Sequence, residues 1–191
     1  PFATQNEKDF NNLLSVYLDS SFFPNLDQLD FLQEGHRLEF KENKIDNDLE
    51  IKGVVFNEMK GAMSSISSQL WHGMSKHLYS SSTYKHNSGG DPEAIIDLTH
   101  DYLVNFHKKH YHPSNATFFT FGDIDPKEVQ DFINKNVLNE FTPSSEKIFV
   151  ENEERITSPK TVKEYYNPLP NDEDTHHVVL SWLLGESHDP V

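Results

Sequence analysis

The stretch HRLEFKENKIDNDLEIKGVVFNEMKGAM, His36–Met63, reads as a strand, a turn and a helix in that order, and it sets the fold class. His36 to Lys41 alternates enough for a strand, and Glu42 to Asn47 is polar and turn-rich. From about Gly53 apolar side chains recur at helical spacing. On that helix Glu58 has Val54, Val55, Gly61 and Ala62 as its neighbours three and four residues away, all apolar or small. A carboxylate set in such a face is expected to be buried or to line a cleft. Burying it unpaired costs on the order of several kcal/mol, so it needs a cation. Lys52 or Arg37 is at hand as a salt-bridge partner, and from the pattern alone that reading stands ahead of a metal ligand.

Outward from this stretch the chain alternates helical and strand-like runs. Asn6 can cap a helix to about Ser20 that carries Phe10, Leu13, Leu14, Tyr17 and Leu18. Pro24 breaks it, a short helix follows around Leu26–Leu32, and Gly35 is placed to end that one. The serines at 64–68 predict a bend before the pattern resumes through Leu70, Trp71, Met74 and Leu78. Ser80–Gly90 reads as loop, Asp91-Pro92 as a capped helix start, and Thr99 to about Tyr111 as a helix ended by Pro113. ATFFTF, Ala116–Phe121, reads as a buried strand feeding a helix capped near Asp125 that runs to about Asn139. Thr142–Ser158 has linker composition, and strands are expected at Thr161–Tyr166 and Val178–Leu184 around the acidic turn Asn171–Asp174. The reading is α+β, with a partial first domain over 1–145, a linker over 146–160 and the start of a second domain over 161–191.

Composition narrows the function. The chain has 191 residues, 16 Lys+Arg against 31 Asp+Glu and a formal net charge of −15, so it repels phosphate backbones, and nucleic acid is excluded as a partner. No apolar run approaches the ~20 residues that span a bilayer, and no basic amphipathic stretch suits an anionic membrane surface. Mean hydropathy is −0.67. Even so, 12% aromatic content, including 14 Phe, can fill a core, so a folded, soluble chain is expected. With no cysteine, any metal centre must use His, Asp or Glu. Pro1 in place of Met, and a finish at Val191 just after a strand-like run, suggest a piece of a longer protein whose targeting segment would lie outside it.

The runs LLSVYLDSSFFP, LDFLQEGHRLEF, KGVVFNEMKGAMSS, SGGDP and FHKKHYHPSNATFFTFGD, in that order over roughly the first 125 residues, resemble the presequence-protease and falcilysin branch of the pitrilysin-type zinc peptidases. In that family an inverted H-x-x-E-H motif on one helix gives two histidine ligands and a catalytic glutamate, and a glutamate on a later helix is the third ligand. The glutamate of the NEMKG run is Glu58. The resemblance therefore implies that Glu58 completes a His2Glu zinc site with one position open to water. No H-x-x-E-H occurs in this chain. The resemblance places it upstream of Pro1, so one metal ligand of three is present and the general base is not. It further implies an intact parent that is a zinc metalloendopeptidase, closing around unstructured peptides in a chamber within an organelle such as a mitochondrion, plastid or digestive vacuole. This chain alone is expected to be inactive and to hold zinc weakly.

Other constellations have plainer readings. His107, His110 and His112 crowd a helix end and could hold an adventitious metal, but cationic histidines also suit a helix C-terminus. His36 and Glu39 would face opposite sides of a strand, and His176-His177 beside Asp172–Asp174 is expected to face solvent. Ser88–Pro92 lacks the Lys of a phosphate loop and reads as a turn. The acidity either draws in cationic peptides or merely solvates loops such as Glu151–Glu154. The apolar run Val178–Leu184 needs sheet partners, so self-association through it is expected. The competing reading of the whole chain is a non-catalytic relative with a structural role, like core subunits of respiratory complexes that share the architecture without the metal. A small metal-buffering module built on the histidine-rich helix end is a third.

Overall fold

A computed structural model describes residues 1–167 and 176–186. In chain order these form α1 (Glu7–Phe22), α2 (Gln28–Asp30) running into a π-helical turn at Phe31–Gly35, β1 (Arg37–Phe40), β2 (Leu49–Lys52), α3 (Val54–Ala62), α4 (Ile66–Leu78), α5 (Pro92–Ile95), α6 (His100–His110) and α7 (Pro126–Asn136). The class is α+β, with a two-stranded antiparallel sheet among the described residues. No described helix is long and apolar enough to cross a membrane. The chain divides into two compact units, one of Pro1–Gln28 with Leu98–Phe149, the other of Leu29–Asp97 with Val150–Val191.

In the first unit the helix starts follow the caps. Asn6 Oδ1 accepts from Asp9 N–H at 3.0 Å, Thr99 Oγ1 from Tyr102 N–H at 3.2 Å and Asp125 Oδ1 from Lys127 N–H at 2.9 Å, each satisfying an orphan donor of the first turn. Leu14 and Leu18, one turn apart on α1, meet Val129 and Ile133 on α7 and Val137 just beyond it, with Phe2, Phe10, Phe22, Phe132 and Phe141 packed around them. The phenylalanine content thus builds this core.

The second unit begins with the hairpin. β1 pairs with β2 in the register Arg37↔Lys52, Leu38↔Ile51, Glu39↔Glu50 and Phe40↔Leu49. β2 is an addition to the sequence reading, which passed from loop to helix there. Glu39 and Glu50 lie directly opposite, an arrangement that repels unless cations intervene. They do: Arg37 Nη2 lies 2.7 Å from Glu39, and Lys52 Nζ lies 3.2 Å from Glu39 and 3.0 Å from Glu50. After β2 the chain turns at Gly53 into α3, breaks at the predicted serine bend and resumes as α4. Phe56 on α3 and Ile95 on α5 are buried.

The expected strand at Ala116–Phe121 does not form, and Phe119 and Phe121 are 85% and 90% exposed rather than buried. Thr161–Tyr166 and Val178–Leu184 also run outside any strand. All three have strand composition, but a strand exists only where a neighbour takes its N–H and C=O groups, and no ladder partner lies beside them among the described residues. The acidic turn expected at Asn171–Asp174 falls outside the described residues.

Candidate functional site

Helix α3 follows the hairpin after one residue, Gly53, whose carbonyl accepts from Asn57 N–H at 3.0 Å and opens the helix. Phe56 turns into the second unit and is buried. Glu58 turns out. Its side chain is exposed, as are Val54 (44%), Val55 (37%), Gly61 and Ala62, so the small and apolar face expected around it exists but is uncovered. This corrects the expectation of burial, because helical spacing says which residues share a face and not what covers it.

The salt-bridge reading is corrected as well. Arg37 and Lys52 are committed to Glu39 and Glu50, and Lys52 holds the Glu39 carboxyl below the usual carboxylate range through its hydrogen bond, with Arg37 second. No ion pair or hydrogen bond engages the Glu58 carboxylate among the described residues. An unpaired acceptor with an open approach fits one ligand of a zinc site, and the described residues contain no group of three or more His, Asp or Glu able to hold a metal by themselves.

The histidine cluster is structural. His107 Nε2 sits 2.9 Å from the Ser21 carbonyl and its ring stacks on Tyr111 at 4.7 Å. His110 stacks on Phe106 at 4.1 Å, and His112 Nδ1 accepts from Ser114 N–H at 3.1 Å. Each ring is used to finish α6 or to cap the turn after it, so the three do not converge on a common point.

Two contacts went unseen in the sequence. Glu164 Oε1 lies 2.5 Å from His77 Nε2, a contact that lowers the Glu164 carboxyl from its ordinary value. Glu153 accepts from Ser80, Ser81 and Ser82, and the Ser80 hydroxyl first, then the Ser82 amide, pull its carboxyl from 4.5 to about 2. A carboxyl depressed on folding stabilises the folded form fully above its unfolded value, and that contribution is lost as pH falls through the folded value. The Ser81 and Ser82 amide resonances should therefore titrate in acid with a midpoint near 2; a midpoint near 4.5 would show that Glu153 is free in solution.

Relatives put the α3 site in context. The chain is 47% identical over 193 residues to the mitochondrial presequence protease of Xenopus laevis, with 99% of this chain and 19% of the relative aligned. Against that of Danio rerio it is 42% identical over 194 residues, 99% of this chain and 19% of the relative, and against that of Mus musculus 50% over 143 residues, 74% and 14%. The chain belongs to the M16, or pitrilysin-type, peptidase family. Residues 97–190 also match the family described as Peptidase M16 inactive domain, a match that leaves Glu58 outside it. This M16 chain spans about a fifth of the length of the curated relatives it matches.

Proposed function

We propose that the chain is the part of a presequence-protease-like zinc metalloendopeptidase that supplies the glutamate ligand, and that Glu58 is that ligand. The carrying observation is a carboxylate that stands exposed and unpaired in a small, apolar helix face while the nearby cations serve Glu39 and Glu50. An oxygen donor of this kind suits zinc together with two imidazoles, and the two histidines must come from outside this chain. Bound zinc would supply a water of pKa about 7 as nucleophile. This chain's own contribution is to fix Glu58 on a helix packed against the Phe31–Gly35 turn and α5. By itself it hydrolyses no peptide and keeps no stoichiometric zinc.

The substrates are unstructured peptides, cationic ones in particular, because a surface of net charge −15 attracts them. Within the complete protein the chain contributes part of a first domain over 1–145 and the start of a second over 161–191, a division by domain of the parent distinct from the two compact units, and the compartment is an organelle, the mitochondrion by its relatives' names. In isolation the exposed run Val178–Leu184 associates with a second copy. The non-catalytic alternative is disfavoured by the relatives' being proteases.

In the complete protein, a chelator should abolish hydrolysis of an unstructured basic peptide, zinc should restore it, and a tightly folded protein should resist cleavage. Raising salt should weaken capture of basic but not of neutral peptides. Chelator-insensitive hydrolysis would refute the zinc assignment.

A further inference from the structure

Donors on Ser80, Ser81 and Ser82 converge on one carboxylate. The Ser80 hydroxyl donates to Glu153 Oε1 at 2.5 Å and the Ser81 hydroxyl to Oε2 at 3.1 Å. The Ser81 N–H reaches both oxygens, at 3.2 and 3.0 Å, and the Ser82 N–H reaches Oε2 at 2.8 Å. Successive backbone N–H groups aimed at one point make an anion-binding concavity, and hydrogen bonds to an ionised acceptor are the stronger kind.

The concavity is built without help from Glu153. Ser82 is 4% exposed, and its Oγ accepts from Tyr84 N–H at 3.4 Å. Lys85 N–H donates to the Ser82 carbonyl at 3.2 Å, Lys85 Nζ to the Ser80 carbonyl at 3.3 Å, and the Tyr79 and Tyr84 rings lie 5.8 Å apart. The loop's own bonds therefore present its donors before any acceptor arrives, which lowers the ordering cost of binding one.

The acceptor lies just past a unit boundary. Residues up to Phe149 belong to the first unit, where Ser114 Oγ accepts from Ser144 N–H at 3.0 Å, and Val150 begins the chain's return to the second. No helix or ladder holds residues 150–166, so side-chain attachment decides where they lie. Glu153 is fastened to the loop after α4, and Glu164 to His77 in the last turn of α4. Glu151 and Glu154, in the same acidic cluster, are exposed and make no such bond.

From this geometry we infer that Ser80–Ser82 is a carboxylate-binding nest and that Glu153 is its resident ligand, latching the chain where it re-enters the second unit. Neither the zinc assignment nor the peptidase reading enters this inference. The test is tryptic cleavage after the exposed Arg155 in the purified chain, with helix content followed by circular dichroism. Glu153→Ala should speed cleavage about tenfold, and Ser80→Ala/Ser81→Ala, which leaves the two amides, about threefold. Glu151→Ala and Glu154→Ala remove the same charge from the same cluster and should stay within about twofold of the parent. If Glu153→Ala behaves like those two controls, or if the double serine variant cleaves at the parent rate, the latch does not exist. Should Glu153→Ala lose helix content, the serine variant alone decides.

Discussion

Glu58→Gln in the complete protein should strip the zinc assigned to this site and lower peptide turnover by at least about a hundredfold, because even groups one step removed from a metal cost ten- to a hundredfold when changed. The variant separates function from stability cleanly. Glu58 is exposed and makes no hydrogen bond or ion pair among the described residues, so exchanging it for an amide of the same shape should move stability by less than about 0.5 kcal/mol. Metal content by atomic emission, turnover of an unstructured peptide and the unfolding midpoint are read on the same sample. Zinc and turnover should fall together while the midpoint holds. Glu50→Gln is the matched control: on β2, just before the same helix, its carboxylate is occupied by Lys52 at 3.0 Å, and its loss should leave zinc untouched. A Glu58→Gln protein that keeps both metal and turnover would remove Glu58 as a zinc ligand.

Helices were legible because their boundary chemistry is local. Asn6, Asp91-Pro92, Thr99 and Asp125-Pro126 each announce a helix start within four residues of sequence, and each caps one in the structure. The serine bend between α3 and α4 is equally local. Strands depend on neighbours, and so read less well. Leu49–Lys52 alternates over only four residues before a helix takes over, too short a pattern to announce a strand, whereas Ala116–Phe121 has full strand composition and finds no ladder. The candidate site divides along the same line. That Glu58 shares a face with Val54, Val55 and Ala62 is a consequence of helical spacing; that the face is open, and that Arg37 and Lys52 are engaged by Glu39, follows from a hairpin register the sequence did not disclose. Glu153 meets its serines from more than seventy residues away, beyond any local rule.

Gly53→Ala should destabilise the chain by about 3 kcal/mol, the upper end of what overpacking costs and a large share of the roughly 5–15 kcal/mol by which domains are stable. A Cβ on Gly53 would lie 1.9 Å from the Gly35 oxygen, 2.6 Å from the Gly35 carbonyl carbon and 2.9 Å from the His36 Cα. All three are main-chain atoms, so no side chain can swing aside to make room. The φ of 166° is ordinary extended backbone, and the cost is therefore steric rather than conformational. The clash falls where the chain enters β1 and leaves β2, beside the Arg37↔Lys52 pair, so relief requires opening the hairpin at the end from which α3 departs. Glu58 rides on that helix, and in the complete protein the same substitution should weaken zinc binding without touching a ligand. Gly61→Ala supplies the contrast. A Cβ there meets nothing within 4 Å, and alanine in a helix gains about 0.5–1 kcal/mol over glycine, so its denaturant midpoint should rise where that of Gly53→Ala falls. Equal midpoints for Gly53→Ala and the parent would mean that the chain does not cross at Gly35, and the support claimed for α3 would be gone.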